Sequence, residues 1–380
     1  MTEAVIVDAL RTPVGRKKGS LSEKHPVDIL VPVLQELVNR NNVEAGDVED
    51  VITGCVTMIK EQGGNIGRQA VLAAGFPVEV PAYSLNRMCG SSQQSLNAAA
   101  QEIIAGDADV SIACGVENMT SIKMGTDMGK FSKDLTKRFN IVPQGLSAEM
   151  IAEKWNLERE ELDEYALESH QRAAKATDNG EFKREIIPME VDIEDGKKTL
   201  DQDEGIRRET SMEKLAGLTP SFKPKDGVVT AGNASQVSDG ASGILLMSRE
   251  KAEASGLKPR ARVIARAVVG EDPVIMLTGI IPATRKVLKK AGLSLGDMDG
   301  IEVNEAFASV VKAWEREFEP DMSKVNPRGG AIALGHPLGA SGTKLTATLL
   351  NYLEDTDGKY GLQVMCIGFG MATATIIERL

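Results

Sequence analysis

Apolar runs with the two-residue period of strands alternate along this chain with longer stretches whose apolar positions recur at helical spacing. Strand-like runs occupy 4–8, 78–85, 109–115, 301–303 and 363–368, and helical spacing is found over 28–41, 93–105, 282–291 and 343–353. Strands that alternate with helices of ten or more residues imply largely parallel sheets covered by helices. A charged amphipathic stretch over 148–176 also reads as helical, broken near Trp155-Asn156.

The pattern repeats. Helix 28–41 leads into the acidic turn Gly46-Asp47-Val48-Glu49-Asp50, and helix 282–291 leads into Gly296-Asp297-Met298-Asp299-Gly300, about 250 positions later. At the same offset the turn around Cys89 maps near Gly335 to Gly342, each followed by a helix, and the strand carrying Cys114-Gly115 maps onto Cys366-Ile367-Gly368. We therefore expect two similar α/β halves, about 1–118 and 258–380, folded against each other. Periodicity fades over 119–139, turn signals fill the polar run 183–224, and 230–238 is small and polar. The expected division is 1–118, an N-terminal half with Cys89; 119–250, an inserted loop domain that holds substrate; and 251–380, a C-terminal half with Asn304, His336 and Cys366.

Composition narrows the function. The 380 residues are 42% hydrophobic and 26% charged, which is ordinary for a soluble globular protein, and 37 glycines suit closely packed helix-on-sheet layers. A net charge of −11 argues against nucleic acid or an anionic membrane as partner, and no apolar run is long enough for membrane insertion. Cys55, Cys89, Cys114 and Cys366 form no Cys-x-x-Cys pair and none neighbours a histidine, so neither a metal site nor a disulfide framework is expected. A reducing, cytoplasmic location follows as the expectation.

Candidate chemistry starts at Cys89, between the extended run 78–85 and the alanine-rich helix 93–105. Unpaired N–H groups and the positive end of a helix dipole at such a turn favour thiolate over thiol and make Cys89 a candidate nucleophile. The competing reading is a small buried hydrophobe. Of the three histidines, His25 precedes Pro26 in an N-terminal loop, and His170 falls in the charged helix and is expected at the surface. His336 differs: its glycine-dense loop at a helix entrance lets backbone approach a ligand and presents one titratable group there. Cys366 ends an apolar strand, where core packing is the competing explanation; Gly368 and Gly370 beside it offer backbone N–H groups to an oxyanion, as does Cys89. Asn304 reads either as a helix N-cap or as a side chain that holds a water or an oxyanion. Ala231 to Ser235 is a turn or a close-backbone binding segment. Gly63-Gly64-Asn65-Ile66-Gly67 lacks the spacing of a P-loop or a dinucleotide fingerprint.

In Asn86-Arg87-Met88-Cys89-Gly90-Ser91, Asn304-Glu305-Ala306-Phe307, Gly335-His336-Pro337 and Cys366-Ile367-Gly368, taken in order, the chain resembles the thiolases, the family of acetyl-CoA acetyltransferases and 3-ketoacyl-CoA thiolases. The likeness spans nearly the whole length and includes 145–149, 203–207 and 231–235. It implies an α/β, thiolase-like duplicated αβαβα layered fold with an inserted loop domain. It also implies an acetyl-CoA C-acyltransferase that cleaves 3-ketoacyl-CoA, or runs the reverse condensation, through a ping-pong acyl-cysteine route. Carried over by position, Cys89 takes the acyl group, and His336 accepts its proton and forms one oxyanion hole with a water held by Asn304. Cys366 moves the proton of the second substrate, and the N–H groups of Cys89 and Gly368 form the other hole. Arg207, Phe222, Ala231, Ser235 and Phe307 fall at positions associated with CoA. The resemblance further implies CoA as substrate with no permanently bound cofactor, acyl-CoA and CoA as partners, and a homodimer or homotetramer.

The chain also departs from the family pattern. Phe369 and Ala372 stand where glycines are common, 141–145 lacks a His-Met pair, and 276–282 differs from the Met-Gly-x-Gly-Pro form. If position 369 requires positive φ, Phe there costs about 1–3 kcal/mol; if not, its ring narrows the acyl end of the site. These differences tilt the reading towards 3-ketoacyl-CoA thiolysis. The alternatives are a biosynthetic acetoacetyl-CoA thiolase, a ketosynthase of the same fold, and a non-catalytic acyl-CoA-binding scaffold subunit.

Overall fold

Side-chain alternation in the first strand, β1 (Ala4–Arg11), sets up the layers of the molecule. Ala4, Ile6 and Ala9 belong to one apolar core and Val5, Val7 and Leu10 to another, so the strand is buried on both faces. The step from Ile6 to Ala9 keeps this alternation because the register shifts by a bulge between Ile6 and Asp8. The computed structural model describes residues 2–193 and 196–380. Its other strands are β2 (Gly15–Arg16), β3 (Asp50–Gly54), β4 (Ala82–Leu85), β5 (Val110–Asn118), β6 (Met189–Ile193), β7 (Gly196–Leu200), β8 (Ser238–Ser248), β9 (Ala261–Gly270), β10 (Gly300–Val303), β11 (Tyr360–Ile367) and β12 (Met371–Arg379). The helices are α1 (Pro26–Asn39), α2 (Ile66–Ala73), α3 (Ser91–Ala105), α4 (Lys133–Arg138), α5 (Gln144–Lys154), α6 (Arg159–Asp178), α7 (Met212–Ala216), α8 (Arg249–Ala254), α9 (Ile280–Ala291), α10 (Ala308–Phe318), α11 (Ala331–Leu334) and α12 (Ser341–Asp355).

Strand order carries the expected duplication. It runs β10-β11-β12-β9-β1-β8-β5-β3-β4, so that β9, β10, β11 and β12 mirror β1, β3, β5 and β8 about the centre. In both halves the same two strands pair parallel (β3 with β5, β10 with β11) and the return strand pairs antiparallel (β5 with β8, β11 with β12). The halves join edge to edge through only two residue pairs, Val5 with Arg262 and Ile6 with Ala261. Helices α3 and α12 fill the space between the two sheet halves: Leu96, Ala99 and Ile103 of one pack with Leu349, Leu350 and Leu353 of the other against Ile6, Ile52 and Ile244. Helices α1 and α2 cover the outer face of the N-terminal half, and α9 and α10 that of the C-terminal half. The layers are thus αβαβα.

Three expectations need correction. The extended run predicted over 78–85 is a strand only at Ala82–Leu85. Residues 238–248, assigned with the insertion, are β8, which lies between β1 and β5 in the sheet. His170, expected at the surface, is buried, and its Nδ1 accepts the Arg207 N–H at 3.1 Å. The helical stretch over 148–176 is broken where predicted, into α5 and α6, with Asn156 at φ 51°. Arg11, fully buried, ties the insertion to β1 through Glu185 at 2.6 Å and Asp203 at 2.7 Å. Among the described residues no helix is long and apolar enough to cross a membrane.

Candidate active site

Cys89 lies one residue before the N-cap of α3, in a turn braced from several sides. Asn86 accepts the Met88 N–H at 2.7 Å and donates to the Val56 carbonyl at 2.8 Å, while the Ser91 hydroxyl donates to the Met88 carbonyl at 2.6 Å. Met88 is held at φ 47°, a strained value for a side-chain-bearing residue. Gly90 meets the far half directly: a Cβ there would stand 2.4 Å from the Ile367 Cδ1, so a larger residue would have to displace that side chain.

The His336 loop reaches the same place from the C-terminal half. The buried carboxylate of Glu117, at the end of β5, accepts N–H groups from Val56 and Thr57 on its own half and from Gly339 across the seam at 2.9 Å. One side chain thereby fixes the nucleophile's surroundings and the histidine loop together. His336 Nδ1 lies 2.5 Å from the Ser341 hydroxyl, which itself donates to the Pro337 carbonyl at 2.8 Å. That hydroxyl has one hydrogen, so it accepts from His336, placing the imidazole proton on Nδ1 and leaving Nε2 bare. Asn304 Nδ2 lies 3.4 Å from Nε2 and 3.8 Å from the Cys366 sulfur.

Asn304 is not an N-cap. Helix α10 starts at Ala308 and is capped by Phe307, and the buried Asn304 Oδ1 has no protein partner among the described residues. That removes the N-cap alternative for this residue. Phe369 has φ 60°, and its ring packs edge-on against Phe131 with centroids 5.7 Å apart. The first of the two alternatives for this residue therefore holds, a strained positive φ, and the ring lines the cavity as well.

Burial controls the electrostatics. It pushes the Cys89 thiol up to about 11, against its own N–H, the Gln144 amide and the Gly368 N–H, which all act on the sulfur to lower it. This corrects the expectation that the helix terminus favours thiolate in the resting protein. Burial, with the Lys344 charge nearby, pulls His336 down to about 3, and burial with the neighbouring Cys89 pushes Cys366 up to about 12. At neutral pH the three groups are uncharged, ready to exchange a proton rather than fixed as an ion pair.

Two clefts adjoin at Phe222, and the first of them reaches Cys89. One, of about 580 Å³, is mainly apolar and is lined by Cys89, Gly368, Met124, Met128, Phe131 and Phe369, among others. The other, of about 550 Å³, is lined by Arg16, Lys17 and Arg207 with Ala231 and Ser235. Phe222 borders both, and its ring meets Phe307, a wall of the first, edge-on at 5.9 Å. Every residue named for CoA thus falls on one of the two clefts. Gln144, Ser341 and Glu117 were missed at the sequence level: Glu117 and Gln144 meet the site only through the fold, whereas Ser341 stands in the His336 loop, five residues from its partner.

The family descriptions "Thiolase, N-terminal domain" and "Thiolase, C-terminal domain" match residues 4–250 and 257–379. The steroid 3-ketoacyl-CoA thiolase FadA6 of Mycobacterium tuberculosis is 48% identical over 100% of this chain and 95% of its own length. The 3-ketoacyl-CoA thiolase of Vibrio cholerae (strain O395) is 47% identical over the whole of both chains. Among solved structures, human mitochondrial 3-ketoacyl-CoA thiolase superposes with a TM-score of 0.93 at 40% identity, covering 100% of this chain and 99% of that one. The Bacillus anthracis acetyl-CoA acetyltransferase does so at 0.92 and 39% identity, with the same coverage.

Proposed function

The chain belongs to the thiolase family, and from that membership we propose that it is an acetyl-CoA C-acyltransferase cleaving 3-ketoacyl-CoA to acetyl-CoA and a shortened acyl-CoA. Cys89 attacks the 3-keto carbon and its proton passes to the bare Nε2 of His336. The C–C bond breaks, the acyl group stays on Cys89 as a thioester, and acetyl-CoA leaves as an enolate that takes a proton from Cys366. CoA gives its proton to the Cys366 thiolate and attacks the thioester; the C–S bond to Cys89 breaks, the sulfur takes back the proton held on His336, and the acyl group leaves on CoA. The enolate oxygen sits near Asn304 and His336, and the tetrahedral oxyanion sits at the N–H groups of Cys89 and Gly368.

Arg16, Lys17 and Arg207 supply the local positive charge that a polyanionic CoA needs on a chain of net charge −11. The acyl chain occupies the apolar cleft, with the thioester end passing Phe222 and Phe307. The same reading carries a cytoplasmic homodimer or homotetramer, with CoA as substrate and no permanently bound cofactor. The proposed division keeps halves 1–118 and 251–380, with the insertion's polypeptide ending where β8 begins.

One observation carries the proposal: Cys89 from one half and His336, Asn304 and Cys366 from the other are brought to one seam, with Cys89 and Gly368 opening on an apolar cleft. The size of that cleft, within the range that encloses drug-sized ligands, favours an acyl group larger than acetoacetyl over the biosynthetic alternative. Peptide mass measurement after brief incubation with acetyl-CoA, and separately with medium-chain and ring-bearing 3-ketoacyl-CoA, tests both points. An acyl increment on the Cys89 peptide that free CoA removes is expected. Binding without any label would support the scaffold alternative instead.

A further inference from the structure

The mechanism above leaves two polar side chains of the apolar cleft, Asp127 and Gln144, without a task, and only Gln144 carries a donor. Gln144 is the first residue of α5, behind Pro143, which caps the helix at φ −57° and ψ 146° and so fixes where the side chain departs. It lines the same cavity as Cys89 and Gly368. Its Nε2 lies 3.0 Å from the point where a Cβ on Gly368 would stand, which packs the amide onto the backbone of that residue. Apart from the Cys89 sulfur, the amide has no side-chain or backbone hydrogen-bond partner among the described residues. A polar group placed this way, in a cleft walled by Met88, Met276, Phe307 and Phe369, points at a ligand.

We propose that the Gln144 amide is a third donor of the oxyanion hole at Cys89, adding its Nε2–H to the backbone N–H groups of Cys89 and Gly368. The proposal rests on the acyl-cysteine reading. In the resting protein the same three donors act together on the Cys89 sulfur. When the sulfur attacks the carbonyl carbon, the S–C bond forms, the π pair moves onto the oxygen, and the thiol proton goes to His336. The donors pass from sulfur to the new oxyanion beside it. They release it when the pair returns to re-form the carbonyl and the C–C bond breaks. The seam then has a side-chain amide on each side, Asn304 by Cys366 and Gln144 by Cys89, each serving the charge that develops there.

Gln144→Met keeps the length of the side chain and removes the donor; Gln144→Glu keeps its shape and places negative charge at the oxyanion. The acylation rate of Cys89 by a 3-ketoacyl-CoA, read by rapid quench and intact mass, is expected to fall about 10- to 100-fold in Q144M, less than the full loss seen for deeply buried donors because Gln144 is half-buried. Q144E is expected to be slower still at pH 8. Alkylation of Cys89 by iodoacetamide, which forms no oxyanion, should change by less than about threefold in Q144M. Acylation of Q144M at the wild-type rate, or acylation and alkylation falling in parallel, would overturn the proposal while leaving the acyl-cysteine route in place. A wild-type protein that is never acylated would overturn that route and this proposal with it.

Discussion

Ser341→Ala tests the proton bookkeeping of the site more sharply than removal of any reacting group. The Ser341 hydroxyl accepts the His336 Nδ1 proton at 2.5 Å and donates to the Pro337 carbonyl at 2.8 Å. That carbonyl also receives the backbone N–H groups of Ala340 and Ser341, at 3.0 and 2.9 Å, so truncation leaves it satisfied. The one group orphaned is the buried His336 Nδ1–H. Leaving such a donor unpaired costs about 1–3 kcal/mol. The imidazole escapes that cost by moving its proton to Nε2, the atom that must be bare to receive the thiol proton. At about 1.36 kcal/mol per decade, the acylation step should slow roughly 5- to 160-fold. Ser341 lines neither cleft, so KM should stay near wild type. Rapid-quench acylation gives the rate, and nitrogen NMR on histidine-labelled protein gives the tautomer, with only three histidines to resolve. A wild-type acylation rate, or an Nε2–H signal for His336 in the unmutated protein, would refute the reasoning.

The other predictions concern the nucleophile, the second thiol, pH and the narrowed cleft. Cys89→Ala should abolish turnover while leaving the thermal midpoint close to wild type, since the change removes one sulfur from a braced turn; measurable turnover would exclude the acyl-cysteine route. Cys366→Ala should still acylate Cys89 from acetyl-CoA but lose exchange of the acetyl methyl protons with deuterated water; equal loss of both would mean that one thiol does not serve one step. With the thiol at about 11 and His336 at about 3, alkylation of Cys89 should rise about tenfold per pH unit above neutrality; a plateau below pH 8 would indicate a thiolate–imidazolium pair. Phe369→Gly relieves a left-handed conformation worth about 1–2 kcal/mol and gives up a ring contact with Phe131, so stability should change by no more than about 1 kcal/mol. Its kcat/KM profile should shift towards bulkier acyl groups, and an unchanged profile would show that the ring does not bound the substrate.

Much of the site could be read from sequence because its residue types are scarce and their settings unusual. With three histidines and four cysteines, a histidine in a glycine-dense loop and a cysteine at a strand-to-helix turn stand out, and the periodicity that exposes the duplication also brings them to one seam. What was missed depends on tertiary contact. Residue 144 lies between the aperiodic stretch 119–139 and the helix read from 148, and only the fold brings it to the cleft of Cys89. Strand β8 opens Ser-Asp-Gly-Ala-Ser-Gly, a composition that reads as a loop, yet every residue of it is buried because helices and strands cover both faces. The hairpin β6–β7 lies in a run too polar to signal a strand. His170 is different, since Leu162, Ala166, Ser169 and Ala173 mark the buried face of α6 at helical spacing and His170 lies on it. The charged residues of the other face masked a signal that was present.

The expectation of a resting thiolate failed for a physical reason that also explains the strain around the site. N–H groups and a helix terminus stabilise charge only to the extent that they offset desolvation, and in a seam closed by two half-molecules desolvation wins. Donors already aimed at the sulfur then carry little benefit in the ground state and become strong only when charge develops in the transition state. Holding them in place has a cost in the backbone: Met88, directly before the Cys89 N–H, and Phe369, directly after Gly368, both have positive φ. Each is over-determined by its surroundings, Met88 by Asn86 and Ser91, and Phe369 by its ring on Phe131 and the bond from Glu271 to the next carbonyl, at 2.5 Å. Backbone that the sequence alone would not choose is therefore found beside both of the N–H groups proposed to receive the oxyanion, where strain can serve chemistry rather than merely oppose folding.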